Sequence, residues 1–224
     1  SILDKSLQYN DYCYALVHLF ETHDKYYDFF VRAKTLNKEI YLDNSIFELG
    51  KSFDSDKYAK WIEKLEPNLY IVPDVLEDYS GTCNAWLEWE SVHSFPQCRT
   101  MGVVQGESWN ELVNCYKFMS DCADMIAISF DYSYYQTTGY GINKLQRFSN
   151  GRQRFVQQLV QEGIWNWNKP HHLLGCSLAR EFRWYVDNNI YNIKSVDISN
   201  PIVASMHGLK YNDEYGLSEK PSTL

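Results

Sequence analysis

Four short stretches of this 224-residue chain put an acid or an amide directly after a run of apolar, strand-forming residues. They are YLDNSIFELG (41–50), VPDVLED (72–78), VVQG (103–106) and SVDISNP (195–201). Two carboxylates on either side of a glycosidic bond can break it: one protonates the leaving group while the other attacks the anomeric carbon or activates water. Asp43 and Asp197 are the natural pair, since each ends an apolar run and precedes turn-forming residues, Asn44-Ser45 and Ser199-Asn200-Pro201. Asp74, after Pro73, and Gln105 are of the types that read a purine. A carboxylate accepts from ring N–H and amino donors, and an amide donates to a carbonyl oxygen. Phe47 and Leu174 are placed to hold the face of a base. Taken singly, a strand-end Asp is commonly no more than the N-cap of the next helix, and Gln105-Gly106 reads as a plain turn. Repetition at four equivalent places is what points to one pocket. His18 reads as a core histidine or as part of the pocket mouth, and His171 and His172, ahead of a strand, as facing solvent or phosphate rather than a metal.

Such a pocket needs strands that deliver their C-terminal ends to one face, and the pattern supplies them. Strand-like runs at 12–19, 38–43, 69–73, 100–105, 124–129, 171–175 and 192–197 alternate with helix-like stretches near 23–36, 55–66, 79–93, 107–121, 144–163 and 178–187. Ser108 and Ser177 are candidate helix starts. Strict alternation predicts parallel strands with covering helices. With a strand remnant at 202–206, the chain is expected to form a compact α/β (β/α)8 TIM-like barrel, with a doubly wound sheet as the alternative. A single domain over 1–210 is expected, followed by an irregular tail over 211–224, rich in Glu, Ser, Lys and Pro.

Composition narrows the partners. With 45% hydrophobic residues the chain can bury a full core. No apolar run nears the roughly 18 residues of a membrane span, and the polar opening SILDKSLQYNDY is unlike a signal peptide, so a soluble, cytoplasmic protein with no membrane partner is expected. The six cysteines are scattered, with no CxxC pair, which predicts reduced, mostly buried thiols and no zinc site. A net charge of −8 argues against a protein that coats nucleic acid. Yet from Tyr132 to Gln161 there is no acid, while Lys144, Arg147, Arg152 and Arg154 stand among Tyr132, Tyr134, Tyr135, Tyr140, Phe148 and Phe155. Cations for phosphates and rings for unstacked bases are what a nucleic-acid contact requires. The bland reading is a solvated helix whose aromatic residues fill the core.

LDNSIFE, PDVLED, VVQG, HHLLGCS and SVDISNP, in this order and spacing, resemble the barrel motifs of the tRNA-guanine transglycosylases. They are more similar still to the short relatives, found in phage and bacterial DNA-modification clusters, that exchange guanine in DNA for a 7-deazaguanine. The resemblance runs from about Tyr12 to Pro201. It implies Asp197 as the nucleophile at C1′, Asp43 as general acid and base, and Asp74 on the N1 and exocyclic amine edge of the base. It implies Gln105 and Gly106 on the carbonyl side, and Phe47 and Leu174, with Gly175 beside it, around the ring. The tRNA enzymes of the family carry a Cys-rich zinc subdomain and arginines after the nucleophile. This chain has neither, showing Asn200-Pro201-Ile202-Val203 at the latter place, and it has Ile128-Ser129-Phe130-Asp131 where they have a Gly-Gly turn.

The function implied is therefore a DNA base exchange that inserts a 7-deazapurine such as preQ0 by double displacement, with no metal or other cofactor. The expected partners are DNA, with tRNA as the alternative, and a free 7-deazaguanine base; a homodimer is left open. The rival readings are a tRNA or nucleoside transglycosylase or hydrolase, a catalytically inactive nucleic-acid-binding barrel, and an unrelated glycoside hydrolase.

Overall fold

A computed structural model describes residues 2–209; the tail expected to be irregular, 211–224, lies outside them. Contacts divide the chain into two compact units, Ser1–Val103 and Val104–Leu224.

The first unit opens with α1 (Ile2–Tyr9) and carries four strands, β1 (Tyr12–Leu16), β2 (Glu39–Asp43), β3 (Leu69–Ile71) and β4 (Arg99–Val104), the last crossing the boundary. The strands pair in chain order and in parallel, with Leu16 opposite Asp43, Leu42 opposite Tyr70 and Ile71 opposite Met101. Between them lie α2 (Asp24–Thr35), α3 (Ile46–Leu49), α4 (Ser55–Leu65) and α5 (Tyr79–Val92). Helix starts follow side-chain chemistry. Asp54 accepts from the Lys57 N–H at 2.9 Å, and Asp78 from the Gly81 N–H at 2.9 Å, each meeting a backbone donor that the helix itself leaves orphaned. Ala15, Ile40, Leu42, Leu69 and Ile71 are buried in the strands, and Phe30, Ile62 and Trp86 are buried in the helices of the same unit.

The second unit holds α6 (Trp109–Cys122), β5 (Met125–Ile128), α7 (Ser133–Thr138), α8 (Lys144–Gln161), β6 (His171–Leu173), α9 (Ala179–Asp187), β7 (Ile193–Val196) and α10 (Asn200–Met206). β5 pairs with β6 and β6 with β7, again in parallel. The MIAI run of β5 is buried throughout, as expected of a parallel strand covered on both faces. The β6–β7 register shifts between His171 and His172, so that His171 faces Ile193 and His172 faces Ser195.

The α/β class and the seven parallel strands are therefore present where the sequence suggests them. Three local expectations are corrected. The first strand stops at Leu16, and Val17–Phe20 turn into a 3-10 helix. The apolar run 202–206 is helical, part of α10, so among the described residues no eighth strand exists. The position before α9 belongs to Leu178 rather than Ser177, whereas Ser108 does cap α6 through the Glu111 N–H at 3.4 Å. Among the described residues, no helix is long and apolar enough to cross a membrane. None of the six cysteines is in a disulfide, and Cys13, Cys98, Cys115 and Cys176 are buried.

Candidate functional site

In the first unit the strand ends gather two of the four expected polar residues. β2 delivers Asp43 half-buried, and the chain then turns through Ser45, whose φ of +61° folds the backbone back. That turn aims the Ser45 N–H at Asp43 Oδ1, while the Tyr14 hydroxyl, from β1, donates to Oδ2 at 2.6 Å. Both carboxylate oxygens thus receive a donor, an arrangement that favours the ionised form. Asp74 is 2% exposed, and Asn44 Nδ2 donates to its Oδ1 at 2.7 Å. Asn44 is itself fixed by the Ile46 N–H on its Oδ1 at 3.0 Å. The Tyr58 hydroxyl lies 3.1 Å from the Leu42 carbonyl and 2.8 Å from that of Ile71, joining the ends of β2 and β3. Tyr26, whose hydroxyl accepts from the Leu16 N–H, is pushed up to about 12 by burial, with the charges of Asp43 and Glu48 adding to it. Phe47, on α3, is 63% exposed. His18 lies in the 3-10 helix after β1, its N–H 3.4 Å from Ser45 Oγ.

In the second unit Gln105 ends β4 almost completely buried, with its N–H on Cys115 Sγ at 3.2 Å, and Gly106 follows, also buried. Asp197 stands just beyond β7 with a side chain 29% exposed. Two groups hold its Oδ1: the Gly175 N–H at 2.8 Å and His172 Nε2 at 3.2 Å. Gly175 reaches this position with φ +59°, which a glycine adopts without strain. His172 is fully buried, and its other nitrogen, Nδ1, lies 2.7 Å from Ser195 Oγ. The loop after β6 is zipped to the end of β7 by the Cys176 N–H on the Asp197 carbonyl at 3.0 Å.

Arg152 overturns an expectation. Instead of facing a nucleic acid, it is fully buried, with Nε on Glu181 Oε1 at 2.7 Å and Nη1 on the carbonyls of Ile128 at 3.0 Å and Leu174 at 2.5 Å. Burial disfavours the guanidinium charge, but the Glu181 carboxylate beside it outweighs that and keeps it protonated. Arg152 therefore ties the C-terminal ends of β5 and β6 together and fixes the half-buried Leu174. Lys144 and Arg154 are exposed and Arg147 is half-buried. Of the interleaved aromatic residues, Tyr132, Tyr135, Phe148 and Phe155 are core, while Tyr140 is 77% exposed.

The two histidines are likewise not at a solvent edge. His171 is buried in β6, 3.8 Å in stacking distance from Trp165, with Nε2 on the Tyr116 hydroxyl at 2.8 Å. His172, expected to face solvent or phosphate, and Tyr14, which the sequence does not single out, instead hold the strand-end carboxylates Asp197 and Asp43. Alternation along β6 leaves His172 on one face, but its meeting with Ser195 depends on the register shift, for which no local sequence pattern exists. Chemically, Asp197 has one oxygen gripped by two donors and the other, Oδ2, available, which is the disposition of an oriented nucleophile.

No family model and no curated protein matches the chain. Among solved structures it is similar to a crystal structure of dihydrodipicolinate synthase, at 13% identity and a TM-score of 0.45, over 70% of this chain and 54% of that one. The chain thus spans about half the length of that protein, and no chemistry follows from the likeness.

Proposed function

We propose that this chain is an enzyme that exchanges guanine in DNA for a 7-deazaguanine base, on a fold of the (β/α)8 type. The observation that carries the reading is Asp197, which ends a parallel strand, has Oδ1 fixed by Gly175 and His172, and keeps Oδ2 for attack. In the first half-reaction Oδ2 bonds to C1′ of the deoxyribose as the C1′–N9 bond breaks, and its electron pair leaves with guanine. Asp43 supplies the proton that neutralises the departing base. In the second half-reaction the N9–H of the incoming deazapurine returns a proton to Asp43, N9 bonds to C1′, and the ester to Asp197 breaks. No redox or metal step is needed, since the glycosidic bond is conserved through the ester. The Ser45 and Tyr14 donors favour carboxylate at Asp43, so giving up the proton to guanine is its easier direction. Taking the proton back from the incoming base is driven by the acidity that the N9–H acquires as N9 bonds to C1′. Asp74 and Gln105 are the residues proposed to read the purine edge, with Gly106, Phe47, Leu174 and Gly175 around the ring.

The test is to incubate the protein in separate tubes with duplex DNA, with tRNA and with nucleosides, each with labelled guanine and candidate deazapurines. Mass spectrometry of the nucleosides then reads exchange. Exchange confined to DNA supports the reading; exchange confined to tRNA or to free nucleosides replaces the substrate. No exchange, and no adduct on Asp197, removes the enzyme.

A further inference from the structure

Residues 139–143 join α7 to α8 and present two apolar side chains to solvent: Tyr140, 77% exposed, and Ile142, 89% exposed. No other large apolar side chain among the described residues is as exposed as Ile142. Such side chains would be unremarkable on a loose loop, but this backbone is held at successive positions. The Gly139 N–H reaches the Tyr135 carbonyl at 2.9 Å, and the Asn150 side-chain amide donates to the Tyr140 carbonyl. The Ile142 N–H meets Gln146 Oε1 at 3.2 Å, and Asn143 caps α8 through the Gln146 N–H at 2.9 Å. The loop packs closely on α8: a Cβ on Gly139 would collide with the Arg147 carbonyl, and one on Gly141 would lie 2.8 Å from the Arg147 nitrogen, so both positions require glycine. Tyr140 and Ile142 therefore stand on a backbone that is hydrogen-bonded on both sides of each.

The stretch of chain that carries them is rich in cations, though Glu162 acts on Tyr134 alongside Arg154. Lys144 opens α8 next to them, and Arg154 donates to the Thr138 carbonyl at 3.3 Å, where α7 ends. No acid occurs between Tyr132 and Gln161, in a chain of net charge −8. Two rigid apolar tips among cations complement a polyanion with an apolar interior, namely stacked bases inside a phosphate backbone. A lipid surface is also anionic, but binding there rests on a long apolar helix face rather than two tips. The loop follows β5, and Arg152 of α8 bonds the backbone at the C-terminal ends of β5 and β6, so it is rooted at the strand ends that hold Asp197 in this unit.

We infer that Tyr140 and Ile142 form a wedge that enters a DNA duplex beside the target guanine and fills the stack as the base leaves it. This rests on the proposed DNA substrate and adds how the duplex is opened. Extrusion costs a few kcal/mol of stacking and pairing, and apolar side chains inserted at the step offset part of it.

The experiment uses the full chain, duplexes carrying 2-aminopurine next to guanine in every nearest-neighbour context, the matching single strands, and phosphatidylserine-containing vesicles. The wild-type protein should raise 2-aminopurine fluorescence in duplex. Tyr140→Ala with Ile142→Ala should cut that rise by about 5-fold or more with the protein at saturation, so that lost single-strand stacking on Tyr140 does not account for it. Lys144→Ala with Arg154→Ala should weaken both forms and lower the salt slope by about 1 to 2. Thermal melts verify that each variant is folded, which their exposure favours. If the wild type binds duplex without unstacking it, or the double apolar variant unstacks normally, the wedge is wrong and the DNA reading stands. Binding to neither DNA form, or to vesicles alone, removes both.

Discussion

At the end of β2, Asp43 takes a donor on each oxygen, from Tyr14 and from its own turn at Ser45, whereas at the end of β7 Asp197 has both of its donors on Oδ1. The supports behind them differ as well. Around Asp43 and Asp74 the strand ends are joined by neutral groups, the Asn44 amide and the Tyr58 hydroxyl. Around Asp197 they are joined by a buried ion pair, Arg152–Glu181, and by a buried imidazole, His172. A carboxylate with a donor on each oxygen is held ionised and so passes a proton on readily, and one with a free oxygen is suited to make a bond. Like residues at like places in two βα units thus acquire unlike chemistry from the partners their neighbouring strands supply.

The hardest test of that contrast is Asp197→Asn. It should lower exchange by on the order of 10³-fold or more and leave no covalent DNA adduct on denaturing gels. Asp43→Asn should slow exchange while an adduct still accumulates. If the two variants behave alike, the division of roles fails.

Next in size is the buried pair. Arg152→Ala strands Glu181 without its counter-charge and should cost about 3–5 kcal/mol in urea unfolding. Arg152→Met with Glu181→Leu, which removes both charges and keeps the volume, should recover most of it. Equal losses in the single and double variants would mean that the pair contributes through shape alone.

His172 and Tyr14 give smaller effects. His172→Leu removes a donor from Asp197 Oδ1 and should lower kcat by roughly 10- to 100-fold with KM little changed, with His172→Gln, which keeps an N–H, recovering part. A rise in KM with kcat intact would place His172 in binding instead. Tyr14→Phe removes the donor from Asp43 Oδ2, and a fall of about 10-fold is expected in steady-state exchange. An unchanged rate would show that this donor is dispensable.

The elements were legible because buried parallel strands read as apolar runs, such as MIAI in β5, and because caps such as Ser108 have local chemistry. The strand-end acids were legible for the same reason, being polar interruptions of those runs. What escaped is set by partners distant in sequence. A run of cations reads as surface until the fold brings Glu181 onto Arg152, 29 residues away. His172 looks like an edge residue until a register shift sets it against Ser195. The 202–206 segment, apolar enough for a strand, became a helix because five residues do not decide between the two periods.

The finest test of the contrast is acid stability, because β6 of the second unit contributes two buried histidines and the described strands of the first contribute none. Burial against Trp165 and Tyr116 holds His171 at about 3, down from 6.5. Between those values the unfolded chain takes up a proton that the folded chain refuses. The stability linked to His171 is therefore complete above about 6.5 and is lost as the pH falls towards 3, by at most about 1.4 kcal/mol per pH unit. His171→Phe keeps the stacking and gives up the hydrogen bonds, so it should be less stable than the wild type at pH 7 by about 1–3 kcal/mol. Its urea midpoint should nonetheless fall less between pH 7 and pH 4.5. If both proteins lose the same stability over that interval, the acid sensitivity arises from carboxylates at the strand ends rather than from the imidazole buried beneath them.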